Sequence, residues 1–204
     1  MKYSALTVGK IRKAERILRR SDPVMNRLIV GCGPCLLADR ESRPFHTLAV
    51  SIIGQQLSVK AADTIERRVA DVVGLPFCPE GFVKAAKDSL RGAGLSKAKA
   101  SYLQDIAGRA VDGRLDFDAF APMSNEEVVG ILTEIPGVGQ WTAEMFLIFG
   151  LHRPDVFSTG DAGLKRAVRV LYGESEDAAA LAIGWAPYRS VASWYLWRYL
   201  DVVG

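Results

Sequence analysis

The chain has 204 residues, 49% of them hydrophobic, and a formal net charge of +3. That length and apolar content support a real core in one large or two small domains. No run approaches 18 uninterrupted apolar residues and the N-terminus has no signal-peptide core, so the expectation is a soluble cytoplasmic protein with no membrane partner.

Taken in order, the pattern is helical throughout. Residues 1–20 hold Lys2, Lys10, Arg12, Lys13, Arg16, Arg19 and Arg20 against one acid, Glu15. Two explanations fit: an electrostatic footprint for nucleic acid, or a solvated helix face. Short amphipathic segments are predicted at 10–20 and 23–30. Cys32-Gly33-Pro34-Cys35 has the spacing of a redox pair or zinc half-site, but Cys78 stands alone and His46 and His152 are not spaced as ligands. Four clustered cysteines are missing, which argues against an iron–sulfur cluster.

From Phe45 to Val73 apolar residues recur at three- and four-residue steps, with a break near Gly54-Gln55-Gln56-Leu57-Ser58, where Ser58 suits a new cap. Helices over Lys84–Arg91 and Ser96–Val111 follow, the second opened by Ser96. Residues 112–122 read as loop. Ser124 to Glu127 matches a capping box. Further helices are predicted over Gln140–Phe149, Asp161–Leu171, Glu176–Gly184 and Pro187–Leu200. No period-2 strand, long linker or repeat is evident. The fold class expected is all-α, two helical lobes with a ligand groove between them.

The most informative stretch is Ile135-Pro136-Gly137-Val138-Gly139. Pro136 ends one helix, the two glycines permit positive φ, and the next helix starts at once with Gln140-Trp141-Thr142. Its N–H groups and positive dipole end point out of the turn, an arrangement that suits a phosphate and would grip nucleic acid without reading sequence. An ordinary αα-corner fits the same residues. Asp161, 22 residues beyond Gly139, reads as an N-cap. Capping holds a carboxylate rigid, and the helix end favours its charged form.

Five motifs, PFHTLAVSIIGQQLSVKAADTI, GLSKAKASYL, LTEIPGVGQWTAEMFLIF, DVFSTGDAGLKRA and WAPYRSVASWYLW, occur in the order found in the helix-hairpin-helix (HhH-GPD) DNA glycosylases. From about Pro44 to Leu200 the chain resembles that family, and within it the 3-methyladenine DNA glycosylase II group in a compact form. The resemblance implies one glycosylase domain over 1–204, with lobe A at about 35–120 and lobe B at about 121–204. The N-terminal helices of 1–34 would pack on lobe B.

It also implies site residues. Asp161 falls at the essential aspartate, stabilising the cationic sugar as the glycosidic bond breaks and orienting or deprotonating water. Trp141 stands where lyase-active relatives, with LPGVGxKTA, carry a nucleophilic lysine; a monofunctional enzyme without lyase activity is implied. Trp141 and Trp197 fall at pocket aromatics that would attract cationic alkylated bases, and Met145 replaces a tyrosine found in some relatives. Core packing is the competing reading for Trp197. Gln56 matches the intercalating position; alternatively the glutamine pair satisfies backbone groups in a bent helix. Gly137, Val138, Gly139 and Thr142 would hold a DNA phosphate through N–H groups, with Lys60 and Lys165 as further backbone contacts. Carbonyls of Thr133, Ile135 and Val138 would bind a structural Na+ or K+. No other cofactor is expected. The partner implied is double-stranded DNA carrying alkylated bases, met by a monomer. A glycosylase for other damaged bases, or a non-catalytic DNA-binding module, remains the alternative.

Overall fold

A computed structural model of the chain describes residues 5–39 and 42–203; Lys2 of the basic N-terminal segment lies outside them. Twelve α-helices are present among the described residues, and no strand. The chain divides into two units, Arg43–Phe146 and the described residues of Met1–Ser42 with Leu147–Gly204.

The first unit in chain order of the helices, Met1–Ser42 with Leu147–Gly204, contains α1 (Val8–Ser21), α2 (Pro23–Cys32), α10 (Ala162–Tyr172), α11 (Ala178–Ile183) and α12 (Arg189–Val203). Helices α1 and α2 pack on α12, burying Ile11, Ala14, Leu18, Met25 and Leu28 with Val191, Ala192 and Leu196. Two carboxylates organise the polar groups of this core. Asp22 caps α2 through the N–H groups of Val24 and Met25, and its other oxygen accepts the Tyr172 hydroxyl (2.7 Å) and the Trp185 indole N–H (2.8 Å). Glu15 accepts the Tyr195 hydroxyl (2.7 Å) and the Cys35 N–H (2.9 Å), which fixes the cysteine loop. Burial pushes the Cys35 thiol up to about 12, opposite to what an activated thiolate requires.

The second unit, Arg43–Phe146, holds α3 (Pro44–Gly54), α4 (Val59–Val73), α5 (Pro79–Lys84), α6 (Lys87–Gly92), α7 (Lys97–Val111), α8 (Asn125–Thr133) and α9 (Gln140–Met145). Phe45, Phe82, Phe117, Phe120 and Phe146 meet edge-on or tilted at centroid separations of 5.7–6.4 Å, geometries that add roughly 0.5–1.5 kcal/mol per pair beyond burial.

Caps predicted from the sequence form: Ser58 accepts the Ala61 N–H, Ser96 that of Lys99, and Ser124 with Glu127 closes a reciprocal capping box. Other details differ from the expectation. The helix predicted at Lys84–Arg91 is α6, which begins at Lys87, and a further helix, α5, precedes it and ends at Lys84, where the Gln104 amide on α7 donates to the carbonyls of Phe82 and Ala85 (3.2 and 2.8 Å). The 112–122 loop contains a 3₁₀ turn at Asp118–Phe120. Beyond Met145 the α-helix gives way to a π-helical turn, Phe146–Gly150. Asp177 caps α11 through the Ala179 N–H, so that helix starts at Ala178 rather than Glu176.

The lobe boundary near 120 is also corrected. The hairpin helices α8 and α9 group with α3–α7, since α9 packs on α3 and the hairpin turn accepts a side-chain hydrogen bond from Gln55. Residues 35–42 fall with the N-terminal helices.

Candidate active site and nucleic-acid interface

The hairpin is built from α8, a turn and α9. The Val138 N–H closes the turn on the Ile135 carbonyl (3.0 Å), and Gly137 takes φ +88°. A Cβ on Gly137 would lie 2.2 Å from the Tyr102 ring, so glycine is demanded twice, by backbone and by space. Ile135 and Val138 bury their side chains (each 4% exposed) and anchor the turn. Gly139 is different from the sequence expectation. Its φ of −91° and ψ of 174° are extended backbone open to any residue, and a Cβ there would meet nothing within 4 Å. What glycine contributes at this N-cap is open space and no side-chain cap. The Ala143 N–H meets the Gly139 carbonyl (3.0 Å), the bond that ties α9 to its N-cap.

Beside the hairpin in the same unit, α3 ends in a tight turn, Gly54 to Leu57, closed by the Leu57 N–H on the Gly54 carbonyl (3.2 Å). Gln55 (φ −50°, ψ 131°) and Gln56 (φ +58°) have the signs of a type II turn, whose third position usually takes glycine. Holding a glutamine there costs about 1–2 kcal/mol. Gln56 is exposed, and so are Leu57, Ser58, Val59 and Lys60 after it.

Trp141 on α9 is 41% exposed, large for a tryptophan, whereas Met145 and Thr142 are buried at 5% and 3%. Thr133, at the end of α8, turns its hydroxyl back to the carbonyls of Val129 and Gly130. The donor set named for a monovalent cation, the carbonyls of Thr133, Ile135 and Val138, is all oxygen and fits a hard cation by type; Ile135 already accepts one N–H.

In the other unit Asp161 caps α10. Its Oδ1 accepts the Leu164 N–H at 2.7 Å and the Trp197 indole N–H at 3.1 Å, and the residue is 8% exposed. Gly163 leaves room beside the second bond, since a Cβ there would sit 3.1 Å from Asp161 Oδ1 and 3.5 Å from the indole nitrogen, crowding the carboxylate. The loop leading to Asp161 is pinned to the start of α12. The Ser190 hydroxyl donates to the Arg153 carbonyl (2.6 Å) and accepts the Val156 N–H (3.0 Å), and Arg189 grips Asp155 through two bonds of 2.7 and 2.8 Å. Ser190 and Trp197 are seven residues apart, two helical turns, so one face of α12 sets both the loop and the carboxylate.

Trp197 is therefore more than core packing. Half-buried, it donates to the carboxylate and stacks at 5.7 Å on Phe149, itself 38% exposed. Lys165, one turn into α10, is exposed. Sequence reasoning missed Phe149, Gly163 and Lys99, whose roles come from tertiary contacts, while Gln55 of the glutamine pair does satisfy a backbone group, the Gly137 carbonyl. No group of three or more His, Cys, Asp or Glu that could hold a metal occurs among the described residues.

The described residues thus hold a capped aspartate bonded to a tryptophan, and a glycine-turn hairpin whose second helix has no side-chain cap. Residues 49–183 match the sequence pattern of the HhH-GPD superfamily base excision DNA repair proteins. The chain belongs to that family. It is 31% identical over 201 residues to DNA-3-methyladenine glycosylase 1 of Schizosaccharomyces pombe, spanning 94% of this chain and 88% of that one. Among solved structures it is similar to a DNA-3-methyladenine glycosidase of Bacillus halodurans (38% identity, TM-score 0.76, 100% of this chain and 94% of that chain). It is also similar to the S. pombe 3-methyladenine DNA glycosylase in complex with abasic DNA (30% identity, TM-score 0.77, 93% and 97%). No helix among the described residues is long and apolar enough to cross a membrane.

Proposed function

We propose that the chain is a monofunctional DNA glycosylase that excises bases alkylated at ring nitrogens, such as 3-methyladenine and 7-methylguanine, from duplex DNA. The observation that carries this is the Asp161 carboxylate, held by α10 and by the Trp197 indole. The likeness to named 3-methyladenine glycosylases supports the substrate class.

The chemistry follows from charge. An N3-alkylated adenine or N7-alkylated guanine is a cation in DNA and leaves as a neutral base, taking the electrons of the C1′–N bond and requiring no strong acid. Positive charge moves onto the sugar, where a fixed carboxylate stabilises it. Water adds at C1′ and loses a proton, with Asp161 orienting or accepting. Trp141 lacks an amine, so no Schiff base forms and the abasic strand stays intact. The aromatic faces of Trp141 and of Trp197 with Phe149 favour a cationic base over a neutral one, at about 0.5–2 kcal/mol per contact.

Extrusion of the base costs a few kcal/mol. Gln56, on its exposed turn, fills the vacated space, and hairpin N–H groups hold a phosphate. A monovalent cation on the Thr133, Ile135 and Val138 carbonyls would supply positive charge to that phosphate. Lys60 and Lys165 add weaker backbone contacts. The enzyme acts as a monomer.

Base release from duplexes carrying 3-methyladenine, 7-methylguanine, hypoxanthine or an etheno adduct tests this. The two methylated bases should be released and gels run without alkali should show intact strands. Enzyme-dependent nicking at the rate of base release would refute the monofunctional assignment, and no release of either methylated base would refute the whole proposal.

A further inference from the structure

Gln56 alone cannot hold a wedge in place, because its turn is short, exposed and strained. Its neighbours in the chain and in the fold supply the rigidity. The Gln55 side chain is half-buried. Its amide nitrogen donates to the Gly137 carbonyl (2.9 Å) and to the Thr142 hydroxyl (3.1 Å). Since the Gly137 oxygen can only accept, the group facing it is the NH2, and both N–H donors of that amide end on the hairpin. Lys99 on α7 donates through Nζ to the carbonyls of Ile53 (2.8 Å) and Gln55 (2.6 Å), clamping the last turn of α3. Burial lowers the Lys99 pKa from its ordinary value, the mark of an ammonium drawn out of water to serve backbone oxygens.

We propose that Gln55 is a positioning residue that couples the Gln56 turn to the hairpin, with Lys99 bracing the same turn. The wedge that displaces a base and the loop that holds the backbone then move as one body, and pushing at one is resisted by the other. The inference rests on reading Gln56 as the wedge and the hairpin as the phosphate anchor. Gln55 touches no substrate and acts through Gln56. It matters in proportion to how hard the base is to extrude.

The discriminating variant is Gln55→Glu, which keeps the shape and replaces both donors by acceptors facing a carbonyl. Release of 7-methylguanine is measured by single turnover from a fully paired duplex and from one with the lesion mispaired, where extrusion is easy. Coupling predicts a loss of about tenfold on the paired duplex and little on the mispaired one. Thr142→Val, which removes one acceptor but keeps the N–H, should show the same selectivity at smaller amplitude, and serves if Gln55→Glu does not fold. Gln56→Ala should also be selective, and adding Gln55→Glu to it should change the paired-to-mispaired ratio no further. Equal losses on both substrates, or additivity in the double variant, would overturn the coupling and leave the wedge standing. If Gln56→Ala shows no selectivity, the wedge reading itself falls and takes the coupling with it.

Discussion

Two helix starts in this molecule are used in opposite ways. Helix α9 begins at a glycine with no side-chain cap and open space where a side chain would be. Helix α10 begins at Asp161, whose own carboxylate takes the first-turn N–H of Leu164. The underlying physics is the same in both cases, several N–H groups and a partial positive charge at one end. The N-cap residue decides whether that charge serves a visiting phosphate or holds an anion belonging to the protein. On the proposed function, one glycine and one aspartate thus separate gripping from chemistry.

Altering each cap probes that division. Asp161→Asn should have the largest effect. Asparagine caps a helix as well as aspartate does, so stability should change by less than about 1 kcal/mol. Single-turnover base release should fall by roughly 10²–10³-fold or more, the scale of removing one electrostatic stabiliser. Gly139→Asp should do the converse. The backbone there suits aspartate and nothing blocks its Cβ, so thermal denaturation should show a gain of a few tenths of a kcal/mol. DNA affinity in a titration should fall about tenfold as the new carboxylate occupies the phosphate position.

Smaller effects sharpen the α10 side. Trp197→Phe keeps a ring and removes the indole donor to Asp161, so base release should slow by about tenfold with affinity for abasic DNA unchanged. Gly163→Ala should give a similar loss by pushing on the same bond. Smallest is a pH effect on stability. Burial depresses the His152 pKa from its ordinary 6.5, so the folded state prefers the neutral ring and the unfolded state binds the proton more readily. This contribution is fully present above pH 6.5 and is lost as pH falls below it. Between pH 7.5 and 5.5 the wild-type Tm should fall more than that of His152→Asn, which tolerates the positive φ, by less than about 4 °C.

Much of this was legible before the structure, for physical reasons. Caps at Ser58, Ser96, Ser124 and Asp161 are local, since the side chain bonds a backbone group three residues away, and spacing reveals them. Gly137 was legible because a turn needs it, but the Tyr102 ring that excludes a side chain there comes from α7 and leaves no trace near residue 137. Gly139 looked equivalent to Gly137 and is not; only the backbone angles separate them. The end of α5 is held by Gln104, which arrives from α7, and the indole bond to Asp161 comes from Trp197, 36 residues away. Side chains that arrive from distant elements carry no local period, which is why Lys99, Gly163 and Phe149 went unremarked and why the partner of Gln55 could not be named.

The division of labour between the two caps is tested most directly by measuring base release from a 7-methylguanine duplex under single turnover, over a range of enzyme concentrations, for Asp161→Asn and Gly139→Asp together. The account predicts that Gly139→Asp reaches the wild-type rate once enzyme is in sufficient excess, while Asp161→Asn stays slow at every concentration. A Gly139→Asp enzyme that remains slow at saturation, or an Asp161→Asn enzyme restored by excess, would contradict it.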